Sequence, residues 1–198
     1  MHLDHAIQQL SEIHAQLLRT EVFRGYRSRP MAFTGFLAFA AAATQAAWLP
    51  PANGAAFAQF WIAVAGICGS VCALDLMLGV WCKQRPTERA QLLRVVAQLV
   101  PAFVAGAVLP LVLVRPELAA IGLLPGLWAL VFGLAVFASR PFLPRAIGWV
   151  GLWYCGSGVV QVLLAGPSVP GPWGMGITFG VGQVVAALVL HQGVERGA

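Results

Sequence analysis

Charged residues are scarce in this chain: Asp, Glu, Lys and Arg make up only 10% of its 198 residues, where about 25% is usual in soluble domains. Apolar residues make up 59%, and the mean hydropathy is +0.79. A soluble domain of this size buries only about 70% of the surface that its unfolded chain exposes, so much apolar surface would remain in water. The shortage of charge excludes an ordinary soluble enzyme and predicts an integral membrane protein.

Metal-binding and cofactor-binding patterns are also absent from the sequence. The four cysteines form no CxxC pair and have no histidine close to them in sequence, so we expect them to act as small hydrophobic residues. The phosphate-binding GxxxxGK[ST] and GxGxxG patterns and the zinc-binding HExxH pattern do not occur. We therefore expect no cofactor, no metal and no catalytic residues.

What the sequence does contain is six long apolar stretches, each near the ~20 residues that cross ~30 Å of hydrocarbon. They predict an all-α polytopic membrane helix bundle with six transmembrane helices. The predicted domains are a segment of residues 1–29, a membrane domain of residues 30–192 and a tail of residues 193–198. The six predicted spans are Met31–Leu49, Phe57–Cys82, Leu92–Val114, Leu118–Ala138, Phe142–Ala165 and Trp173–Gln192.

The basic residues fall almost entirely on one side of these six spans. Eleven of the twelve Lys and Arg residues lie on the side that holds both chain ends, and Arg115 alone lies on the other. Because short loops rich in Lys and Arg stay in the cytoplasm, both termini are predicted to be cytoplasmic. The net charge of +5 thus follows from topology, and we expect no nucleic-acid partner.

The segment of residues 1–29 has the pattern of an amphipathic helix followed by a basic collar. Its apolar residues recur at helical spacing, and four arginines follow them. One interpretation is an anchor that packs under the bundle. The alternative is a homodimer contact or a docking site for a cytoplasmic protein. The apolar residues are Leu3, Ile7, Leu10, Ile13 and Leu17.

Three short segments of the first half recur, in the same order, in the second half. Residues 35–40, 68–70 and 98–104 resemble residues 133–138, 155–157 and 183–189. Because each half holds three spans, a true duplication would give a 3+3 inverted repeat, as in several transporter folds. The alternative is chance similarity within the restricted alphabet of membrane helices.

Asp75 is the only acidic residue within a predicted span, about seven residues, or ~10 Å, from the cytoplasmic end of span two. A carboxylate in hydrocarbon needs a partner or a function. One hypothesis is a structural ion pair with Arg94 or Arg145, and the other is a cation or proton site. Gln98 and Gln183 would line a polar path if the repeat is real, or would join neighbouring helices by hydrogen bonds.

A serine protease site is excluded by depth. Ser157 lies about 14 residues, or ~21 Å, from the cytoplasmic boundary, whereas His191 lies beside that boundary. A general base must come within ~3 Å of its nucleophile. The sequence therefore predicts that the protein is not an enzyme of this kind.

Five short segments of the chain carry a family resemblance: residues 23–27 (FRGYR), 124–128 (LPGLW), 136–139 (VFAS), 143–145 (LPR) and 172–180 (PWGMGITFG). With these segments the chain resembles a family of small uncharacterised six-helix bacterial inner-membrane proteins. The resemblance implies a multi-pass protein of the bacterial inner membrane and carries over no activity and no site residues.

Two functions remain open from the sequence. The first is a small transporter or channel, as a homodimer or a single chain, in which Asp75 and an arginine couple transport. The second is a non-catalytic scaffold or accessory protein that docks a cytoplasmic partner through residues 1–29. Both place the lipid bilayer around the membrane domain.

Overall fold

The computed structural model describes residues 28–51, 53–82, 86–115, 118 and 120–192, with side chains described for these residues apart from 79–82, 86–95 and 142. Within these residues the chain forms six α-helices and no strand. The helices are α1 (Ser28–Ala47), α2 (Gly54–Cys82), α3 (Pro86–Leu113), α4 (Leu124–Ser139), α5 (Ile147–Leu163) and α6 (Pro172–Leu190).

The helices have the length and composition of membrane spans. Five contain stretches long and apolar enough to cross a membrane, and α5 is an apolar helix of 17 residues. At 1.5 Å per residue α5 is about 26 Å long, at the lower limit for a span. The prediction of a six-helix membrane bundle is confirmed for the described residues. The predicted amphipathic helix, up to residue 27, and the tail of residues 193–198 lie outside them.

None of the six helices begins at the first residue predicted for its span, and the first turns of α1 and α4 each contain a proline. Helix α1 begins at Ser28 and takes Pro30 into its first turn, where a missing N–H leaves no hydrogen bond unmade. Helix α4 begins at Leu124 after a 3-10 turn (Ile121–Leu123), and Pro125 is its second residue. Pro125 therefore starts a helix instead of interrupting one, since its fixed φ angle suits the first turn.

The six helices form a ring in which each helix packs on its neighbours in sequence and α6 closes onto α1. The α1–α6 and α4–α5 contacts are the most extensive, and α2 and α3 touch only sparsely among the described residues. We call the end at which α1, α3 and α5 end and α2, α4 and α6 begin the closed end. The opposite end, at which α2 and α4 end and α3 and α5 begin, is the open end.

Glycines allow the two best-packed helix pairs to approach closely, as small residues do in membrane bundles. A Cβ added to Gly35 of α1 would lie 3.0 Å from the Gly180 carbonyl oxygen of α6. Between α4 and α5, a Cβ on Gly126 would lie 2.8 Å from the Gly158 carbonyl oxygen. Backbone therefore meets backbone in both pairs, and these are the most closely packed helix pairs of the bundle.

The closed end is sealed by an apolar cluster to which five helices and the α3–α4 connection contribute. Trp61 of α2 is only 2% exposed, and its Nε1 donates a hydrogen bond of 2.8 Å to Oε1 of the buried Gln45 of α1. This bond satisfies both polar groups inside an otherwise apolar cluster. The buried members are Ala41, Ala42, Phe57, Ala58, Trp61, Leu113, Ile121, Leu124 and Met175.

A proline and a tryptophan join α3 to α4. Pro110 lies inside α3 and has no N–H, so the carbonyl of Gly106, four residues earlier, loses its helical donor. Trp128 of α4 replaces that donor, because its Nε1 donates a 2.8 Å hydrogen bond to the Gly106 oxygen. The carbonyl freed by Pro110 is thus a structural link, in keeping with the way membrane helices satisfy such groups from a neighbour.

Candidate functional site

Tyr154 places a hydroxyl in the middle of the membrane domain. It is the eighth of the 17 residues of α5 and is 0% exposed. Its ring contacts Phe132 of α4 and Phe179 of α6, with centroids 4.8 and 5.5 Å away, and its phenol lies directly against Gly182 of α6. The phenol can be this close because Gly182 has no Cβ. Its hydroxyl nevertheless has no hydrogen-bond partner in the described part of the chain.

Gln183 is the residue after the glycine that Tyr154 contacts. It is the twelfth of the 19 residues of α6, so it also lies near the middle of its helix. Its Cβ lies 3.2 Å from the position that a Cβ on Gly35 of α1 would take. The Oε1 atom of Gln183 is buried and, among the described residues, accepts no hydrogen bond. Tyr154 of α5 thus contacts the residue that precedes Gln183 in α6, and each of the two side chains has a buried polar atom without a partner among the described residues.

Such atoms are unusual, because a buried group that loses its hydrogen bonds costs about 1–3 kcal/mol. The other buried or half-buried glutamines of this bundle avoid that cost. Gln45 accepts a bond from Trp61, and Gln161 donates a 2.8 Å bond to the Thr178 hydroxyl. Gln45 and Gln161 thus join neighbouring helices through hydrogen bonds, as one of the two interpretations expected of Gln183. The Gln183 oxygen accepts no such bond among the described residues. We call Tyr154 and Gln183 the midplane pair.

Helix α2 turns one face toward the interior, and Asp75 lies on that face. Its less exposed residues follow one another at steps of four and three residues, as expected of a helix with one packed side. Cys68 is a half-buried residue of this face. Asp75 comes seven residues, or about 10 Å, after Cys68 toward the open end. The residues of this face are Phe57, Trp61, Val64, Cys68, Val71 and Asp75.

The side chains on the interior face of α2 become less buried from the closed end toward the open end. Phe57 and Trp61 are buried, whereas Cys68, Cys72 and Asp75 are all half-buried. Helix α3 shows the same trend, because Pro110 and Leu113 are buried and its side chains from 96 to 108 are exposed or half-buried. Among the described side chains, both helices are buried near the closed end and only half-buried or exposed from there as far as residues 78 of α2 and 96 of α3.

The remaining predicted site residues are spread over the open half of the molecule. Gln98 is an exposed residue of α3, and no hydrogen bond joins it to Gln183. Arg145 is exposed in the connection before α5. Arg94 is a residue whose side chain the structure does not describe. An ion pair between Asp75 and either arginine stays a prediction.

Corresponding positions of the predicted repeat have different surroundings. Gly35 of α1 packs against α6, whereas its counterpart Gly133 of α4 packs against Cys155 and Tyr154 of α5. In an inverted repeat α4 would correspond to α1 and α3 to α6. Gly133 would then be expected to pack against α3, as Gly35 packs against α6. Gln98 is likewise exposed where Gln183 has a buried oxygen. The 3+3 inverted repeat stays a prediction from sequence.

Tyr154 is the member of the midplane pair that sequence reasoning missed. The chain has only two tyrosines, and this one stands in the middle of an apolar span where phenylalanine would bury the same ring without a hydroxyl. A polar group at the centre of a span is the pattern that could have identified it.

Comparison of the chain with protein-family models, with curated proteins and with solved structures finds no match.

Proposed function

We propose that the protein is a small membrane transporter or channel whose solute passes the midplane pair. The observation that carries the proposal is the burial, without hydrogen-bond partners, of the Tyr154 hydroxyl and the Gln183 oxygen. Phenylalanine and leucine would fill the same space at no such cost. A passing polar solute supplies the missing partners, and solute sites of transporters commonly lie at this depth.

Uneven packing supports access from one side. The apolar cluster seals the closed end, while the described side chains of α2 and α3 beyond this cluster are exposed or half-buried. Outward movement of their open-end halves would expose the midplane pair to that side, and the closely packed α1–α6 and α4–α5 pairs would keep the two residues in place. This arrangement suits alternating access, in which part of a bundle moves around a fixed site.

The proposal includes an orientation in a bacterial inner membrane. The described arginines Arg29, Arg140 and Arg145 lie at the open end, and Arg115 lies at the closed end. By the positive-inside rule the open end and both termini are cytoplasmic. A homodimer, or a cytoplasmic partner bound through residues 1–29, stays a prediction because nearly all of that segment lies outside the described residues.

Solute uptake by liposomes that contain the purified full-length protein tests the proposal. The probes are radiolabelled urea, guanidinium and acetate, which differ in charge. We expect at least one probe to enter faster than into protein-free liposomes. Gln183→Leu and Tyr154→Phe should each lower that uptake about tenfold or more, the effect of losing one hydrogen bond of ~1.4 kcal/mol to the passing solute.

Gln59→Leu is the matched control, because Gln59 is an exposed glutamine of α2, and it should leave uptake unchanged. Neither site substitution should destabilise the protein, since each removes a buried polar atom that has no partner. Uptake equal to that of protein-free liposomes for all three probes would refute the proposed function. So would full uptake by both site variants.

A further inference from the structure

The segment between α4 and α5 holds two arginines, Arg140 and Arg145, and both side chains are exposed. The Leu143 N–H donates a 3.3 Å hydrogen bond to the Arg140 carbonyl oxygen, and the Ile147 N–H donates a 2.9 Å bond to the Pro144 oxygen. The segment therefore consists of two tight turns. Because a proline next to each arginine also fixes a backbone φ angle, the two arginines have defined positions at the open end.

Both arginines lie at the first turn of α5. The guanidinium carbon of Arg140 lies 3.6 Å from the position that a Cβ on Gly148 would take, so this side chain reaches the second residue of α5. Arg145 belongs to the same turn, because the Gly148 N–H donates a 3.2 Å hydrogen bond to its carbonyl oxygen. The two positive charges therefore share one region of the surface.

Trp149 adds an indole N–H to this region. It follows Gly148 directly and is 72% exposed. Trp61, Trp128 and Trp153 each donate their Nε1 hydrogen to an acceptor on another helix, whereas Trp149 makes no such bond within the described part of the chain. Exposed tryptophans are typical of the membrane boundary, where the ring contacts acyl chains and the N–H meets polar groups.

The length of α5 places this region at the level of the lipid head groups. The helix is about 26 Å long, slightly shorter than the ~30 Å hydrocarbon core, so residues just before it lie at the boundary of that core. Beyond Trp149 the outer face of α5 is apolar. Leu152 is 53% exposed, and a Cβ on the exposed Gly156 would meet nothing within 4 Å. This face is therefore open to an acyl chain.

Charge selects between the kinds of head group. No acidic residue occurs between residues 118 and 194, so α4, α5 and α6 bring no carboxylate to the two arginines. A phosphate is a good partner, because arginine forms paired hydrogen bonds with it. The ammonium group of a zwitterionic lipid would lie beside two positive charges without a carboxylate from these helices. Charge therefore favours an anionic lipid.

We infer that this region binds one anionic phospholipid from the membrane leaflet at the open end. Arg140 and Arg145 bind its phosphate, the Trp149 indole donates to a phosphate or ester oxygen, and an acyl chain lies along the outer face of α5. The site is separate from the midplane pair and does not depend on the proposed transport function.

Displacement of radiolabelled phosphatidylglycerol from the purified full-length protein in detergent micelles tests this inference. Unlabelled phosphatidylglycerol should displace the label at a concentration about tenfold or more lower than zwitterionic phosphatidylethanolamine with the same acyl chains, the ratio that ~1.4 kcal/mol gives. Sodium phosphate should displace no more label than sodium chloride at the same ionic strength, because free phosphate has no acyl chain to contact α5.

Substitutions identify the residues responsible. Arg140→Gln and Arg145→Gln should each weaken phosphatidylglycerol binding about tenfold or more. Arg145→Lys keeps the charge and loses the paired hydrogen bonds, so its affinity should lie between those of the wild type and Arg145→Gln. Arg115→Gln is the matched control, because Arg115 is an exposed arginine at the closed end, and it should bind as the wild type does.

Three results would overturn the inference. The first is equal displacement by the two phospholipids, and the second is wild-type affinity for phosphatidylglycerol in both glutamine variants. The third is displacement by sodium phosphate, which would show that the arginines take a soluble phosphate instead of a lipid. A loss in Arg115→Gln equal to that in Arg145→Gln would likewise contradict the account, because total charge and not this site would then attract the lipid.

Discussion

Replacing Gly182 by alanine is expected to cost about 3 kcal/mol or more of the free energy of unfolding, at the upper end of the range for overpacked sites. The added Cβ would overlap the Tyr154 phenol. That ring is 0% exposed, and Phe132 packs against it with centroids 4.8 Å apart, so it has no space into which to move. Titration of the purified protein with a denaturing detergent in mixed micelles measures the loss.

Gly156→Ala is the matched control, because a Cβ at this position of α5 would meet nothing within 4 Å. Alanine favours a helix over glycine by about 1 kcal/mol, so this variant should be as stable as the wild type or slightly more stable. A second change, Tyr154→Leu, should recover part of the stability lost in Gly182→Ala. Equal stability of Gly182→Ala and Gly156→Ala would show that Tyr154 does not pack against α6 in this way.

Trp61→Ala is expected to cost about 3–5 kcal/mol, the usual loss when a buried large aromatic residue is truncated. Trp61 is only 2% exposed within the closed-end cluster, and its Nε1 is the donor to Gln45. Truncation therefore leaves a cavity and also leaves the buried Gln45 oxygen without its donor, which adds to the cost. The same detergent titration measures this loss.

Trp149→Ala provides the comparison for Trp61, since Trp149 lies on α5 and is 72% exposed. Its truncation should change stability by about 0.5 kcal/mol or less, as is usual for surface positions. Trp61→Phe keeps most of the ring and loses the hydrogen bond, so it should lie between the two alanine variants. If Trp61→Ala unfolds at the same detergent concentration as Trp149→Ala, α2 is not held at the closed end by this cluster.

The helices were predictable from sequence because each span is a continuous apolar stretch between polar or Pro/Gly breaks. Their exact starts were less predictable, since a proline such as Pro125, within the predicted fourth span, can lie in the first turn of a helix. The role of Pro110 depended on a tertiary contact. Only the position of Trp128 beside Gly106 shows that the freed carbonyl is satisfied.

The candidate site was predictable only in part. Gln183 and Asp75 stand out in sequence because polar residues are rare in these spans, and both lie on half-buried positions of their helices. Sequence does not separate Gln183 from Gln45 and Gln161, because the difference is whether a hydrogen-bond partner on another helix reaches the amide. Trp61 donates to Gln45, and the Thr178 hydroxyl accepts a bond from Gln161. Tyr154 becomes a candidate only when its hydroxyl is found buried against Gly182.

Reaction of a single cysteine at position 183 with a membrane-impermeant cationic thiol reagent tests most directly whether solute reaches the midplane pair from one side. The four native cysteines are first replaced by alanine, and the protein is placed in liposomes. We expect Gln183→Cys to react when the reagent is added on the side where Arg145→Cys reacts, and to react far more slowly from the other side. No reaction from either side, during a period in which Arg145→Cys reacts completely, would contradict the account.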